Sequence, residues 1–342
     1  MGSRSGQSGT RAALAWALLI PALAWGVGQA ASDRWWWSQW LLWIPAAVPL
    51  AGALAAAVVM WRGSRAGSWR GSGSGQRFAS GHNALPRRVS LALTAAVCAS
   101  VAATGAATLS WLSWGRLAGG ASDASPAPLR IVHLNPRWPG DVTGLGASVM
   151  AQPADVYAIS EAGALLRAPA VRAAAESGAI TAQVGRFAVI SWCPITEARA
   201  VYDDGSIAAS WIRFGATDRL PAWSMLMVDA PRRLRVSRAD IFGTLRSALD
   251  GMSLGAPDVV VGDMNATSGS VAVSSTWPDM MDACARAGRG LRATFPRTFP
   301  LWAIDRCLVN PRWRVSSWSA WDPGVGAHRG QRIEIEPLTI SP

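Results

Sequence analysis

The sequence predicts an α/β domain carried behind an apolar N-terminal third, and three observations support that class. Composition changes near residue 120: residues 1–120 hold ten arginines and one acid, Asp33, whereas the remainder holds 22 arginines and 20 acids. The first third contains three long stretches almost free of charge, 11–31, 40–61 and 89–114. Beyond residue 128, short apolar runs that end abruptly on polar residues share the chain with helical spacing. The clearest run is VVVGDMNAT, Val259 to Thr267. At about 210 residues this second part is long enough to bury one substantial core.

The three apolar stretches come first. Each reaches the roughly 20 residues that a bilayer core demands. A soluble three-helix bundle of that length would show polar faces, and none is written here. Trp35, Trp36, Trp37, Trp40 and Trp43 cluster where the first stretch meets the second, Trp61 closes the second, and Trp111 and Trp114 close the third. Amphipathic indoles suit the headgroup level. The sequence therefore predicts a membrane domain over 1–120 with three spans. Segment 62–88, rich in Gly and Ser and holding six arginines, reads as a flexible cytoplasmic loop. Arg4 and Arg11 precede the first span, which puts the N-terminus in the cytoplasm. Three crossings of the inner membrane then leave the C-terminal domain periplasmic or extracellular. The alternative for the first span is a cleaved signal peptide ending in the small residues of Val27 to Ser32, which delivers the domain to the same side. Residues 115–128, GRLAGGASDASPAP, read as a linker and 129–342 as the domain.

Net charge is informative only by segment. The chain's formal +11 resides mostly in residues 1–120, so it marks topology and argues against a nucleic-acid footprint on the nearly neutral domain. Cys193, Cys284 and Cys307 fall in the domain and Cys98 in the third span, with no CxxC spacing for zinc. One disulfide with a spare thiol stays open.

Within the domain the predicted strands follow in order. LRIVHLNPRW from Leu129 presents Asn135; DVYAISE from Asp155 ends on Glu161; RFAVISWCPI runs from Arg186 and WSMLMVD from Trp223 to Asp229. VVVGD delivers Asp263, with Asn265 two residues on; AIDRCLV carries Asp305; and GVGAHRGQRI places His328 in a glycine-rich loop. An apolar run meeting a polar rim is how a buried strand ends at a cleft. Plainer readings stand beside these. Asn135 before Pro136 is a turn dipeptide, Glu161 a helix N-terminal acid, Asp305 an ion-paired strand residue, and Asp263 and Asn265 turn formers. Ser237 with Asp240 starts a helix to Met252, with Ile241, Leu245 and Leu249 at helical spacing. Before it, Arg232, Arg233, Arg235 and Arg238 offer a bidentate grip on phosphate, a solvated face or a contact to lipid headgroups.

These blocks, in this order, resemble the endonuclease/exonuclease/phosphatase superfamily of metal-dependent phosphoesterases from about 129 to 337. The resemblance implies a four-layer sandwich, two mainly antiparallel β-sheets flanked by helices, with the site where strand ends converge. It implies that Glu161 with Asn135 seats a divalent metal, magnesium or manganese. Asp263 and Asn265 then orient water and hold phosphate, and Asp305 orients the catalytic His328. The substrate is a phosphoester, whether lipid, nucleotide or nucleic acid. Three positions depart from the family's pattern: Ala327 replaces an aspartate beside the histidine, Asp229 stands where a histidine or tyrosine often contacts phosphate, and Arg306 follows Asp305. Two readings result. One is a membrane-anchored phosphoesterase; the other is a weakened or inactive fold acting as a binding module.

Overall fold

The computed structural model describes residues 4–68, 87–114, 127–137, 139–161, 163–233 and 235–338. Its chain forms two compact units, Met1–Ala31 with Trp40–Ser110, and Ser32–Gln39 with Trp111–Pro342.

The first unit is helical: α1 (Arg4–Ala31), α2 (Ser38–Leu42, crossing the unit boundary), α3 (Ala47–Ser68) and α4 (Arg87–Trp111). Small side chains let its helices meet around Ala15, Leu19, Ala53, Ala56, Leu93 and Val97. The expectation of three membrane spans needs correction. Among the described residues only Ala13–Ala31, 19 residues with a mean hydropathy of 1.5, is long and apolar enough to cross a bilayer. Within the described residues the apolar stretches of α3 and α4 are shorter, Ala47–Arg62 and Ala92–Ala106. The expected span 40–61 is broken after Leu42 by a turn around Pro45, so that α3 begins only at Ala47, and the expected span 89–114 reaches past the described side chains at both ends. Most of the expected loop 62–88 and of the linker 115–128 lies outside the described residues.

The second unit continues in chain order with β1 (Leu112–Trp114), β2 (Leu129–Leu134), α5 (Val142–Met150), β3 (Val156–Ile159), α6 (Pro169–Glu176), β4 (Ile180–Val184), β5 (Phe187–Ser191), β6 (Ile195–Asp203), β7 (Ala208–Phe214) and β8 (Trp223–Asp229). There follow α7 (Arg238–Asp250), β9 (Val259–Asp263), α8 (Val271–Thr276), β10 (Met281–Asp282), α9 (Ala283–Ala287), β11 (Arg289–Leu291), β12 (Asp305–Val309), β13 (Trp313–Trp321) and β14 (Gly330–Pro337). One six-stranded sheet runs β13-β14-β2-β3-β5-β4 and the other β10-β12-β9-β8-β7-β6. Pairing is antiparallel except for β2 with β3 and β8 with β9.

The central strands β3, β5, β8, β9 and β12 lack polar alternation because both faces are covered. In β9, Val259 and Val261 enter the core between the sheets while Val260 packs outward. In β8, Met225 and Met227 point inward, and Leu226 and Val228 outward. The outward residues of the second sheet meet Ile241, Phe242 and Leu245 of α7 and Val273 of α8, while those of the first meet Leu145 and Val149 of α5 and Val171 of α6. The result is helix, sheet, sheet, helix: the four layers expected. Ser237 caps α7 by accepting a hydrogen bond from the Asp240 N–H at 3.0 Å, and the helix ends at Asp250, two residues before the expected Met252. At the end of the sandwich away from the cleft, the buried carboxylate of Asp258 accepts from Ser224 N–H at 2.8 Å and from Trp313 Nε1 at 2.9 Å, and pairs with Arg312. It thereby fastens one sheet to the other. The four cysteines are free thiols, so the disulfide left open by the sequence is absent.

Candidate active site

Strand periodicity puts the acids where the core opens. Asp263 extends the inward set Val259 and Val261, Asp229 extends Met225 and Met227, and Asp305 precedes the inward Cys307 and Val309. Side chains alternate faces with a period of two, so all three carboxylates emerge between the sheets at one end. Register aligns them, since Asp263 is paired with Asp305 on one side and with Asp229 on the other. This packing leaves no room for a side chain at position 262: a Cβ on Gly262 would lie 1.7 Å from the Val228 carbonyl oxygen.

The first sheet contributes from across the cleft. Asn135, just past β2, donates from Nδ2 to Asp263 Oδ2 at 3.1 Å. Its Oδ1 accepts the Arg137 N–H at 3.1 Å and keeps a second lone pair free in principle. His328 sits in the loop before β14 and is fully buried. That loop is anchored to the residue after Asn135: Ala327 N–H donates to the Pro136 carbonyl at 3.0 Å, and Gly326, at φ 80°, passes so close that a Cβ would approach the same oxygen to 2.5 Å. His328 Nδ1 lies 2.8 Å from Asp305 Oδ2, while its buried Nε2 has no hydrogen-bond partner and lies 3.9 Å from Asp263 Oδ2. Phe295 packs on the imidazole with centroids 4.8 Å apart.

The electrostatics follow from this crowding. Burial alone would lower the His328 pKa, but Asp305 and Asp263 outweigh it and raise the value to about 9. Burial would raise Asp305, yet the charge and hydrogen bond of His328 hold it below the usual carboxylate range. Asp263 is lifted to about 7 by burial and then by the Asp305 charge. Asp229 reaches about 8, again from burial first and then from Asp263 and Glu161.

The expected site residues do come together. Asn135, Glu161, Asp263, Asn265 and Arg232 line one cleft of about 90 Å³. Asn265 adopts a left-handed conformation, φ 44°, that folds it back over Asp263: its N–H donates to Asp263 Oδ1 at 2.9 Å and its Nδ2 to the Ala230 carbonyl at 2.9 Å. Its Oδ1 is buried and unpartnered. Glu161 also has a positive φ, 49°, and an exposed side chain at the rim. Arg233 stands aside from the lining and bonds Ser206, which does line the cleft. Arg306 points away, pairing with Asp282 and the Thr267 carbonyl. Two cationic cleft residues were not singled out from sequence, Arg137 and Arg186. Arg186 reaches Asp229 at 4.0 Å and Asp203 at 2.6 Å, so it partly neutralises the acid that stood out as unfavourable to a phosphate. A lone arginine opening a strand gives no signal in sequence; only the β5 and β8 ends, brought together, reveal it.

Asn135, Glu161, Asp229 and Asp263 all line this cleft and carry hard oxygen donors, the donor type that suits a divalent cation. Asp263, Asp305 and His328 also hold ligand atoms within 4.8 Å of one another. There, however, the hydrogen bond between Asp305 and His328 already commits one of the two nitrogens.

Comparison with known proteins adds a family. Residues 130–341 match the model of the Endonuclease/Exonuclease/phosphatase family. Similar solved structures include a functionally unknown conserved protein from Enterococcus faecalis V583, 15% identical with TM-score 0.49, covering 61% of this chain and all of that one. A mannosyl-6-phosphatase from Bacteroides thetaiotaomicron VPI-5482 is 14% identical, TM-score 0.49, over 60% and 99% of the two chains. The human Nocturnin catalytic domain with bound sulfate is 12% identical, TM-score 0.48, over 63% and 97%. No curated protein sequence matches the chain.

Proposed function

The chain belongs to the endonuclease/exonuclease/phosphatase family, and from that premise we propose that it hydrolyses a phosphoester bond with the help of a divalent metal, magnesium or manganese. The observation that carries the reading is the convergence of Asn135, Asp263, Asn265, Asp305 and His328 on one cleft end, with His328 Nε2 unpartnered beside Asp263. Glu161, with the free lone pair of Asn135, would hold the metal. When bound, it would draw charge from the phosphoryl oxygens. Asp263, with a pKa near 7, positions the attacking water and accepts its proton at neutral pH. His328, cationic through Asp305, presents Nε2 to the charge that develops on phosphorus-bound oxygen, and Asn265 orients the phosphate beside it. Arg137, Arg186 and Arg232 add cationic donors to the cleft wall for the substrate's anionic oxygens.

Anchoring to the membrane is the second part of the proposal, supported by the apolar Ala13–Ala31 with Arg4 and Arg11 ahead of it, a charge order that favours an active unit outside the cytoplasm. The rival reading, a binding module with little turnover, rests on Ala327, whose methyl group cannot ligate a metal.

One experiment separates them. The full chain, purified in detergent, is assayed on phosphomonoester and phosphodiester chromogens with magnesium or manganese, beside Glu161→Ala and Ala327→Asp. Metal-dependent turnover lost in Glu161→Ala supports the enzyme. Absence of turnover in the native chain, regained in Ala327→Asp, supports the binding module.

A further inference from the structure

The segment that leaves α1 does not hang free of the catalytic unit; it is built into it. Ser32, Asp33, Ser38 and Gln39 are all at most 1% exposed. Ser32 Oγ donates to the Gly269 carbonyl at 2.7 Å and accepts the Val271 N–H at 3.1 Å. Asp33 accepts from the Ser270 hydroxyl and from the Ala272 N–H at 3.1 Å. Gln39 Nε2 donates to the Val236 carbonyl at 3.1 Å. A buried aspartate so satisfied is costly to release, because leaving would strand its donors and acceptors. The latch grips two loops beside the cleft, one following Asn265 and one carrying the arginines 232–235.

Between its two grips the strap exposes three consecutive indoles. Trp35, Trp36 and Trp37 are 51%, 54% and 43% exposed, with Trp35 and Trp37 stacked at 5.6 Å. The Gln39 contact sets them next to the loop whose Arg232, Arg233 and Arg235 are exposed. Arg232 of that loop lies over the ring of Phe295 at 5.8 Å, and Phe299, four residues on, is 70% exposed. Exposed aromatics this concentrated mark an interaction surface rather than ordinary solvent-facing side chains. Their mixture with guanidinium groups has the chemistry of an anionic lipid interface, where indole takes the headgroup level and arginine the phosphates.

We propose that this rim, Trp35–Trp37 with Arg233, Arg235 and Phe299, is a face by which the catalytic unit itself docks on an anionic bilayer surface, latched in place by Ser32, Asp33 and Gln39. The proposal rests on the reading of α1 as a membrane anchor and goes beyond it. An anchor alone holds the unit near the bilayer without choosing the face that meets it, whereas the docked face holds the cleft mouth against the headgroups.

The test uses the full chain with Cys98→Ser, since the other three cysteines are buried. Trp36→Cys, Phe299→Cys and, on α6 of the opposite layer, Glu176→Cys are labelled singly with an environment-sensitive NBD fluorophore. The proteins are reconstituted into vesicles of phosphatidylcholine alone or with phosphatidylglycerol. Docking is expected to shift the 36 and 299 probes to the blue and shield them several-fold from an aqueous quencher in the anionic vesicles, while the probe at 176 stays wet. Replacing Arg233 and Arg235 together by Ala should lower the shielded fraction, the docked-to-free ratio falling about 30-fold. A chain that floats with the vesicles but keeps the 36 and 299 probes as wet as 176 overturns the docking face and leaves the anchor standing. A chain that does not float at all overturns both. Neither readout involves turnover, so the result is independent of the phosphoesterase reading.

Discussion

His328 holds its two ring nitrogens in unlike surroundings, and much of the site's behaviour follows from that. Nδ1 is tied to Asp305 at 2.8 Å, which fixes the ring and its charge, and Nε2 is left for the substrate side. Asp305→Asn should keep the fold and lower kcat by roughly 10²- to 10⁴-fold, because it removes the charge that keeps the imidazole cationic and correctly turned. Steady-state kinetics beside a thermal melt checks this; an unchanged kcat would remove Asp305 from the mechanism. The same pair predicts a pH dependence of stability. The folded chain binds the His328 proton more tightly than the unfolded chain, so this stabilisation is full below the ordinary 6.5 and is lost as pH rises through about 9. Asp263 and Asp229, raised to about 7 and 8, act in the same direction from their ordinary 3.8 upward. The urea midpoint should therefore fall between pH 6.5 and 9, with a shallower fall in His328→Gln.

At the scale of elements, strands buried on both faces do two jobs. Inward residues of β8, β9 and β12 fill the core, and the same alternation, carried one step further, aims Asp229, Asp263 and Asp305 into the cleft. Gly262 permits β8 and β9 to lie side by side there. Gly262→Ala is expected to cost about 3 kcal/mol or more in urea unfolding, since the new methyl group would meet rigid backbone at 1.7 Å rather than a flexible side chain. Asp258 plays the fastening role at the far end. Asp258→Ala should cost about 3 kcal/mol, because it leaves the buried Trp313 indole N–H and the Ser224 N–H without acceptors. Activity measured below the unfolding transition should survive that loss, as the cleft lies at the other end of the strands.

For the whole molecule, the strap makes residues 32–39 part of the catalytic unit. A fragment starting after residue 120 lacks Asp33 and would leave Ser270, the Ala272 N–H and the Val236 carbonyl without these partners. That fragment is expected to melt at lower temperature than the same unit within the full chain, and calorimetry of the two decides it. Latching also constrains topology, because residues 32–39 and the catalytic unit must share one side of any membrane that α1 crosses. Alkaline phosphatase fused after residue 128 should be active, as Arg4 and Arg11 ahead of α1 favour an outer face; an inactive but expressed fusion would reverse the orientation.

Local composition alone determined a good deal here. Apolar runs bounded by Asn135, Glu161, Asp263 and Asp305 marked the central strands, because a strand covered on both faces must be apolar until it reaches water. Ser237 and Asp240 marked a helix start, because an N-cap is a local hydrogen bond. Four features were settled by tertiary structure. The second expected span is divided, since a turn around Pro45 interrupts what a sliding count of apolar residues had joined. Arg137 and Arg186 entered the cleft from strand ends far apart in sequence. Asp229 proved to be the register partner of Asp263, and Asp33, the one acid of residues 1–120, became a buried latch 237 residues from the serine it meets. Spacing and periodicity report contacts within a strand or helix turn; charges and caps that are paired across sheets exist only once the layers have packed.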